Sequence, residues 1–559
     1  MHEPRSHQSG PLIRAASTAA TEAGRYGHIA ATILRAGVVP FPQVHRGIAE
    51  LVPMARYGTT LGGLFEMAAA VTPHRTAVVD DDRAVTYRQL RRRVAALAGG
   101  LADTFGIDAG ASVGVLARNH IGFVEAVLAC NRLGAHAVLL NTGMSASQAA
   151  TVATEQELQL LIADAELLEL VSKAPSTIPR VCADRPTPEV ADAVECGLAD
   201  LIGVADRRTA APTEHGRTVV MTSGTTGAPK GAKRPSSAGP DAAASILSRI
   251  PFRAEEATHI APPLFHTWGF ANLQIAAMLR ATIVLRRHFD PAEALRTLSV
   301  HRCTAMAVVP VMLQRILELE DDERPPVDLS ALRVVAASGS ALPGPLATRW
   351  IDAYGPTLYN LYGSTEVSWA TIATPDELAD HPGTAGRAPK GTRLAIVGDD
   401  DQVLGPGEVG RIFVGNDLQF EGYTGDAASN DVLDGMMATG DVGHLDEDGL
   451  LFVAGRDDDM IVSGGENVYP KEVEDLLASR DDIVEVAVIG VDDDDFGQRL
   501  AAFIVPRDPD QAPDEDTIKA FVKEELAKFS VPRDVVVLDE LPRNPTGKVM
   551  KKDLHDRLG

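Results

Sequence analysis

A short segment rich in glycine and hydroxyl residues is the part of the sequence best suited to chemistry. Residues 221–231 read MTSGTTGAPKG. Glycines let the backbone approach an anion, while hydroxyl groups and a lysine add hydrogen-bond donors and charge. This composition indicates a phosphate-binding loop, although a flexible surface loop can share it. The common phosphate loop, G-x-x-x-x-G-K-[ST], does not match, because no Ser or Thr stands in that register. The candidate phosphate-binding residues are Thr222, Ser223, Gly224, Thr225, Thr226, Gly227 and Lys230.

The segments around this loop favour an α/β fold. An apolar segment at 218–220 comes directly before it, so a strand is predicted to lead into the loop. From Leu61 to about Gly455, apolar β-branched runs alternate with helical patterns, which is typical of α/β domains with mainly parallel sheets. The clearest predicted strands are 112–116, 137–140, 282–285 and 305–309, and the clearest predicted helix is 123–133.

Length and changes in composition predict three regions. A chain of 559 residues is too long for one ordinary core. Residues 1–57 form an atypical leader, and residues 58–455 form the large α/β domain. The stretch GRDDDMIVSGGENVYP, which begins at Gly455, is charged and glycine-rich, as linkers are. Residues 456–559 are therefore predicted to form a small, mobile α+β domain.

Overall composition excludes several classes of protein. The formal net charge is −25, which opposes non-specific binding to nucleic acid. The four cysteines lie far apart without paired spacing, so neither a disulfide framework nor a zinc site is expected. No apolar run approaches the roughly 20 residues that cross a bilayer. We expect a cytoplasmic protein without a secretory signal.

Further motifs follow the phosphate-binding loop in a fixed order. They are ASGSALP at 337–343, YNLYGSTE at 359–366, TGD at 439–441, the linker at 455–470 and PRNPTGKVMK at 542–551. Together with the loop they resemble the signatures of the adenylate-forming superfamily, which contains acyl-CoA synthetases, nonribosomal-peptide adenylation domains and luciferases. The resemblance covers the chain from about Leu61 to its end. It implies a large N-terminal domain of α/β subdomains with mainly parallel sheets, plus a small mobile α+β C-terminal domain.

The same resemblance implies contacts to a nucleotide. Thr365 and Glu366 are expected beside the phosphates, where Glu366 suits Mg²⁺ because this hard cation prefers oxygen ligands. Read alone, the same string would be an ordinary helix start. Tyr362 is expected against the adenine. The base edge is expected to contact Asn360 and the backbone of Gly339, Ser340 and Ala341.

Two further sites are implied for the ribose and for the reacting groups. Asp441 and Arg456 resemble the family's ribose contacts, although a lone Asp after Gly is usually a turn residue. Lys548 is implied to bridge the substrate carboxylate and the α-phosphate. A lysine near the end of a chain is usually an ordinary exposed residue. A carboxylate that attacks a phosphate, however, needs a positive charge to neutralise the repulsion between the two anions, and this requirement favours a catalytic role for Lys548.

The implied reaction has two steps and uses ATP, Mg²⁺ and coenzyme A. A carboxylic acid first forms acyl-AMP with release of pyrophosphate, and the thiol of coenzyme A then displaces AMP. One arrangement cannot easily present both Lys548 and a thiol, so the small domain is implied to rotate about Asp458. Gly464 and Gly465 are implied to flank the pantetheine arm, where a side chain would leave no room. Alone, this stretch would be a passive linker.

The acid is the least constrained substrate. PPLFHTWGF at 262–270 resembles the family's acyl pocket, with His266 as a candidate catalytic residue at its mouth. A histidine among aromatic residues can equally be a core residue with its hydrogen bonds satisfied. Trp268 and Phe270 suit an apolar wall, and Gly269 is expected to deepen the pocket. The region lacks the aspartate with which amino-acid-activating relatives hold an ammonium group. We expect a medium- to long-chain fatty acid, with an aryl or other apolar carboxylate as the alternative.

Two other functions compete with this interpretation. An acyl-AMP ligase would load a carrier-protein thiol instead of coenzyme A, but the glycine pair and the intact linker weigh against it. A catalytically inactive binding protein would have lost Lys548, Glu366 or the phosphate-binding loop, and all three are present.

The leader lies outside the resemblance and is interpreted from its own pattern. Apolar residues recur at helical spacing in 25–39 and again in 44–52, on either side of Pro40-Phe41-Pro42, which predicts two short amphipathic helices. The favoured interpretation is that both apolar faces dock onto the large domain. The alternative is peripheral contact with a membrane, because residues 1–57 carry six arginines and three glutamates, the reverse of the overall balance.

Overall fold

The protein is described here by a computed structural model. The described residues are 27–39, 44–188, 190–203, 212, 214–222, 230–233, 240–364, 367–416, 422–423, 431–463, 466–493 and 497–558. Within these ranges no helix combines the length and the apolar character needed to cross a bilayer.

The helices and strands are numbered in chain order within the described residues. The α-helices are α1 (27–36), α2 (Val44–Tyr57), α3 (Leu61–Val71), α4 (Tyr87–Phe105), α5 (Ile121–Leu133), α6 (Ala146–Glu155), α7 (Leu198–Gly203), α8 (Pro240–Arg249), α9 (Thr267–Met278), α10 (Pro291–Val300), α11 (Pro310–Leu317), α12 (Gly344–Tyr354), α13 (Pro375–Asp380), α14 (Pro470–Ala478), α15 (Glu515–Glu525) and α16 (Lys551–His555). The strands are β1 (Thr76–Val79), β2 (Ala84–Thr86), β3 (Ser112–Leu116), β4 (His136–Leu139), β5 (Leu158–Ala163), β6 (Arg180–Cys182), β7 (Cys196–Gly197), β8 (Thr218–Thr222), β9 (Lys230–Lys233), β10 (Ala257–Ile260), β11 (Thr282–Val284), β12 (Ala305–Val308), β13 (Val334–Ala337), β14 (Leu358–Tyr362), β15 (Thr371–Ala373), β16 (Arg393–Val397), β17 (Gly410–Gly415), β18 (Gly422–Tyr423), β19 (Val432–Leu433), β20 (Met436–Leu445), β21 (Leu451–Arg456), β22 (Ile461–Ser463), β23 (Glu466–Val468), β24 (Ile483–Asp493), β25 (Gly497–Pro506) and β26 (Asp534–Val537).

Two eight-stranded sheets form most of the large domain. One has the order β15-β14-β13-β12-β10-β11-β1-β2, and its strands are parallel except for the edge strands β15 and β2. The other has the order β18-β9-β8-β4-β3-β5-β6-β7, parallel from β8 to β7. The predicted strands coincide with β3, β4, β11 and β12 to within one residue at each end. The predicted α/β class with mainly parallel sheets is confirmed.

The two sheets share one hydrophobic core. Helix α5 is buried along its whole length from Ile121 to Asn131 and packs against α3, α4, β3 and β4. A helix that is buried on all sides lies inside a core and not on a surface. Val113 of β3 and Val334 of β13 belong to the same buried cluster, so one core holds the two sheets together.

A third sheet was not expected from the sequence. It has the order β16-β17-β20-β19, with β21 added to β20, and all of its pairs are antiparallel. No helix separates β16 from β21 among the described residues. A parallel pair needs a crossover connection, usually a helix, so the antiparallel pairing fits the described part of this region, and the mainly parallel interpretation fails locally.

The smaller C-terminal part has a sheet of its own. Its order is β23-β22-β25-β24, with β26 beside β25, and α14 and α15 pack their buried faces onto it. Strand β21 of the third sheet ends at Arg456, and β22 begins at Ile461. The short segment between them therefore joins two separate sheets.

Both helices predicted in the leader are present as α1 and α2. Ala36 of α1 is 6% exposed and belongs to the main core, and the Ala254 amide donates to its carbonyl at 2.8 Å. In α2, by contrast, Leu51 and Val52 are 54% and 64% exposed. Docking of the apolar face is thus observed for the first helix, whereas these two residues of the second stay in contact with solvent.

Candidate active site

A cavity of about 2110 Å³ lies where the large domain meets the C-terminal part. It opens beyond the carboxyl ends of β8, β13 and β14, the position at which α/β sheets usually bind ligands. The segment 543–552 of the C-terminal part closes one side. The predicted site residues that line this cavity are His266, Gly339, Ser340, Ala341, Asn360, Tyr362, Asp441, Arg456, Asp458 and Lys548.

Other predicted residues lie outside the described part of the chain. These are Ser223, Gly224, Thr225, Thr226 and Gly227 of the phosphate-binding loop, Thr365 and Glu366, and Gly464 and Gly465.

The ends of the phosphate-binding loop are nevertheless placed at the cavity. Thr222 ends β8 and pairs with Lys230, which begins β9. Val220 and Met221 of β8 line the cavity. The loop therefore leaves and re-enters the sheet at one point beside the candidate site.

The turn after β13 shows why glycine is needed at 339. Gly339 has a φ of +97°, a backbone conformation that residues with a side chain rarely adopt. An added Cβ would also lie 3.2 Å from Cγ1 of Val309. Gly339, Ser340 and Ala341 all line the cavity.

Tyr362 makes a contact that sequence reasoning missed. Its hydroxyl donates to Oδ2 of Asp441 at 2.5 Å and lies 3.3 Å from Oγ1 of Thr439. Burial, with the Asp441 charge beside it, raises the pKa of Tyr362 well above its usual value. The tyrosine therefore stays protonated and orients the carboxylate. Since Tyr362 is in YNLYGSTE and Asp441 in TGD, the two motifs form one unit that neither motif reveals alone.

Asp441 and Asp458 are linked through one guanidinium group. Arg456 donates to both carboxylate oxygens of Asp458, at 2.9 and 3.2 Å, and its Nη1 lies 3.7 Å from Oδ1 of Asp441. Burial raises the pKa of Asp441, while Tyr362, Arg456 and Lys548 oppose that shift. The hydrogen bond from Arg456 lowers the pKa of Asp458. The predicted ribose contact and the predicted hinge are therefore electrostatically coupled.

The loop that carries Lys548 is closed by Asn544. The Asn544 side-chain oxygen accepts hydrogen bonds from the amides of Thr546 and Lys548, each at 3.0 Å, and the Asn544 amide donates to the Lys548 carbonyl at 3.0 Å. Gly547 has a φ of +82°, which a residue with a side chain would strain to adopt. The sequence thus builds a defined turn with Lys548 at its exit.

This turn packs directly onto the large domain. A Cβ on Gly547 would lie 2.7 Å from Cγ1 of Val311, and a Cβ on Gly143 would lie 2.5 Å from Cγ of Pro545. Glycine on both sides of the contact therefore permits the close approach. The contact places Lys548 on the same cavity as Asp441 and His266.

The surroundings of His266 favour its neutral form. Burial, together with the nearby Lys548 charge, lowers the pKa of His266 to about 4. The neutral imidazole therefore predominates near neutral pH, and the catalytic role of His266 stays a prediction. A neutral imidazole can still form a hydrogen bond to an anionic substrate.

Helix α9 forms the apolar wall next to His266. Trp268, Ala271, Ile275 and Met278 line the cavity at helical spacing, and Trp268 fixes its ring by donating to the Val308 carbonyl at 3.0 Å. These residues form an apolar surface along one face of the helix, and its use as the acyl pocket stays a prediction.

One expectation for this helix is wrong, and another stays a prediction. Phe270 is 7% exposed and packs in the main core, as Trp268 does, and its place in the apolar wall stays a prediction. Gly269 does not deepen the pocket, because a Cβ there would lie 2.2 Å from the Pro263 carbonyl oxygen. Its role is to let α9 pack closely against the preceding segment.

The described residues were compared with the side-chain groups that hold metal ions. None of them form a group of three or more His, Cys, Asp or Glu side chains suited to a metal ion. The predicted Mg²⁺ ligand, Glu366, lies outside the described residues.

The leader also contributes residues that sequence reasoning did not place at the site. Ile33 and Val38, with Glu50 and Met54 of α2, line the far part of the cavity. The amphipathic pattern indicated a docking surface, but a pattern does not identify the surface onto which a helix docks.

Comparison with known proteins supports one family. The profile of the AMP-binding enzyme family matches residues 65–424, and that of the AMP-binding enzyme C-terminal domain matches residues 472–548. A feruloyl-CoA synthase from Amycolatopsis sp is 32% identical over 497 residues, covering 88% of this chain and 97% of that protein. A 3-[(3aS,4S,7aS)-7a-methyl-1,5-dioxo-octahydro-1H-inden-4-yl]propanoyl:CoA ligase from Rhodococcus jostii (strain RHA1) is 33% identical over 524 residues, covering 90% and 99%.

A solved structure is similar over nearly the same span. The o-succinylbenzoate CoA synthetase of Bacillus subtilis, in complex with its acyl-adenylate intermediate, has a TM-score of 0.74 and 29% identity. The match covers 88% of this chain and 97% of that one.

Proposed function

Since the chain belongs to the AMP-binding enzyme family, we propose that it converts a bulky, ring-bearing carboxylic acid first to acyl-AMP and then to the coenzyme A thioester. The chain is an AMP-forming acid–CoA ligase that uses ATP, Mg²⁺ and coenzyme A, as the sequence motifs implied. The observation that carries the proposal is the single cavity that Lys548, Asp441 and the apolar face of α9 share.

In the proposed nucleotide site, Asp441 accepts hydrogen bonds from the ribose hydroxyls. The 2.5 Å contact from Tyr362 fixes the direction of that carboxylate, and the nearby Arg456 guanidinium favours its charged form. The turn at Gly339, together with Asn360, is assigned to the adenine. Glu366 would hold Mg²⁺, which would neutralise part of the negative charge of the phosphates.

In the first step, a carboxylate oxygen attacks the α-phosphorus and the bond to pyrophosphate breaks. Lys548 is assigned to the two anions that must approach each other, because a placed cation is the most effective way to lower their repulsion. His266, being neutral, is assigned a hydrogen bond to the acid carboxylate. In the second step the thiol sulfur attacks the acyl carbon and AMP leaves.

The acid is assigned to a ring-bearing class on two grounds. The acyl groups named for the relatives above all contain rings. The wall of α9 is apolar, yet Gln274 of the same helix also lines the cavity. The side-chain amide of Gln274 has no hydrogen-bond partner among the described residues. An apolar body with a polar substituent would satisfy both features.

A fatty acid is the second candidate, because the pocket is long enough to hold one. Helix α9 has 12 residues, so at the usual rise the lined face extends about 18 Å. That depth suits an extended alkyl chain as well as a ring system. The relatives named above do not support the expectation of a medium- to long-chain fatty acid, which stays a prediction.

A panel of acids tests the proposal. Ferulate, 2-succinylbenzoate, indole-3-acetate and benzoate would be compared with octanoate, dodecanoate and palmitate, with pyrophosphate release and thioester formation measured separately. We expect at least one ring acid to exceed every alkyl acid by roughly tenfold or more in kcat/KM. A rise of up to about fourfold per methylene along the alkyl series would establish the fatty-acid candidate instead. Thioester formation with a carrier protein but not with coenzyme A would identify the carrier-loading alternative.

A further inference from the structure

The distal end of the cavity is built by the leader, outside the region that the family profile matches. Helix α9 begins at Thr267, directly after His266 at the nucleotide end, and ends at Met278. At that second end the lining is completed by Ile33, Val38 and Met54. The family profile begins at residue 65, so these residues are an addition to the domain that performs the chemistry.

One buried arginine fixes the leader in this position. Arg280, two residues after α9, has a side chain that is 3% exposed. Its guanidinium donates to the carbonyls of Val38 at 2.7 Å and Gly37 at 2.5 Å, and lies 3.4 Å from the Glu50 carboxylate. Because Arg280 lies directly after α9, these bonds attach the leader next to the end of the cavity wall.

The faces of α1 have different environments. Ile29, Thr32 and Ala36 are buried against the large domain. Ile33 lines the cavity, whereas the next residue, Leu34, is 51% exposed. Two adjacent positions of one helix therefore separate a cavity-lining side chain from a solvent-facing one.

We propose that the leader is the distal wall of the acyl cavity and sets the upper size of the acid that the enzyme accepts. This inference rests on the proposed function, since it assigns the cavity to the acid. Ile33 is the main size-determining residue, because it projects from a helix that is anchored on its buried side. A larger side chain there would occupy the space of the distal end of a long substrate.

Replacing Ile33 with tryptophan tests the proposal, with Leu34→Trp as the matched control of equal bulk. Both variants and the wild type would be assayed for thioester formation with ω-phenylalkanoic acids of increasing chain length. The quantity compared is the kcat/KM for the longest accepted acid divided by the kcat/KM for phenylacetate. For Ile33→Trp we expect this ratio to fall by roughly tenfold. Ile33→Ala is expected to move the optimum to a longer acid, and Leu34→Trp is expected to keep the wild-type ratio.

Thermal unfolding of each variant shows whether it folds. If Ile33→Trp does not fold, the proposal is tested by Ile33→Ala alone, for which the preferred acid is expected to become longer. The proposal is overturned if both Ile33 variants keep the wild-type ratio, or if Leu34→Trp lowers it as much as Ile33→Trp does. A wild-type enzyme that forms no thioester with any acid refutes the proposed function and this inference with it. A wild-type enzyme that is active with an unchanged variant profile refutes this inference alone.

Discussion

Lys548→Ala is expected to lower the rate of acyl-adenylate formation by at least roughly 10²–10³-fold, the range found when one placed donor is removed from a developing charge. Transfer of a supplied acyl-adenylate to coenzyme A is expected to continue at close to the wild-type rate. The reason is that Lys548 acts on the approach of two anions, which is complete once the adenylate has formed. Pyrophosphate release measures the first step, and thioester formation from synthetic acyl-adenylate measures the second.

Lys528→Ala is the matched control for this experiment. Lys528 is exposed, belongs to the same C-terminal part and does not line the cavity, so its loss removes the same charge without removing the contact. It should leave both steps unchanged. If Lys548→Ala slows both steps equally, the lysine supports the structure of the site in general and the assignment to adenylation is wrong.

Asp441→Asn is expected to raise the KM for ATP by roughly 10- to 100-fold, because hydrogen bonds to a charged acceptor contribute about 1.5–3 kcal/mol. The substitution keeps the shape of the side chain and removes the charge that the ribose hydroxyls and Tyr362 would share. Steady-state kinetics at saturating acid and coenzyme A measure the effect. The KM for the acid should change little, since the acid is assigned to the α9 side of the cavity.

Two further variants separate the causes. Tyr362→Phe removes the 2.5 Å hydrogen bond but keeps the carboxylate, so a smaller increase in the KM for ATP is expected. Glu447→Gln removes a charge from an exposed position that does not line the cavity and should have no effect. An unchanged KM for ATP in Asp441→Asn would contradict the ribose assignment.

Local patterns were sufficient for the parallel part of the fold. Runs of β-branched residues between helical patterns predict buried parallel strands, because both faces of such strands are covered. The predicted bounds of β3 and β12 accordingly agree with those in the structure to within one residue. The antiparallel third sheet was missed, because its order and strand directions depend on pairing between strands, which runs of apolar residues do not reveal.

The motifs predicted which residues would meet but not how they would interact. Motifs separated by hundreds of residues converge on one cavity, as a family resemblance implies. The hydrogen bond between Tyr362 and Asp441 and the docking of Gly547 against Val311 depend on side-chain directions that only a folded chain defines. Gly269 was misassigned for the same reason. The free space next to a glycine is determined by its neighbours in three dimensions, here the Pro263 carbonyl.

The fate of the carboxylate oxygens tests the central claim most directly. The acid that gives the highest rate would be labelled in both carboxylate oxygens with oxygen-18 and incubated with the enzyme, ATP, Mg²⁺ and coenzyme A. Attack on the α-phosphorus, followed by displacement at the acyl carbon, leaves one labelled oxygen on AMP and one on the thioester carbonyl. Mass spectrometry of the products is therefore expected to show AMP that carries one oxygen-18 for each thioester formed. Formation of ADP, or of AMP without the label while thioester accumulates, would contradict activation through an acyl-adenylate in this cavity.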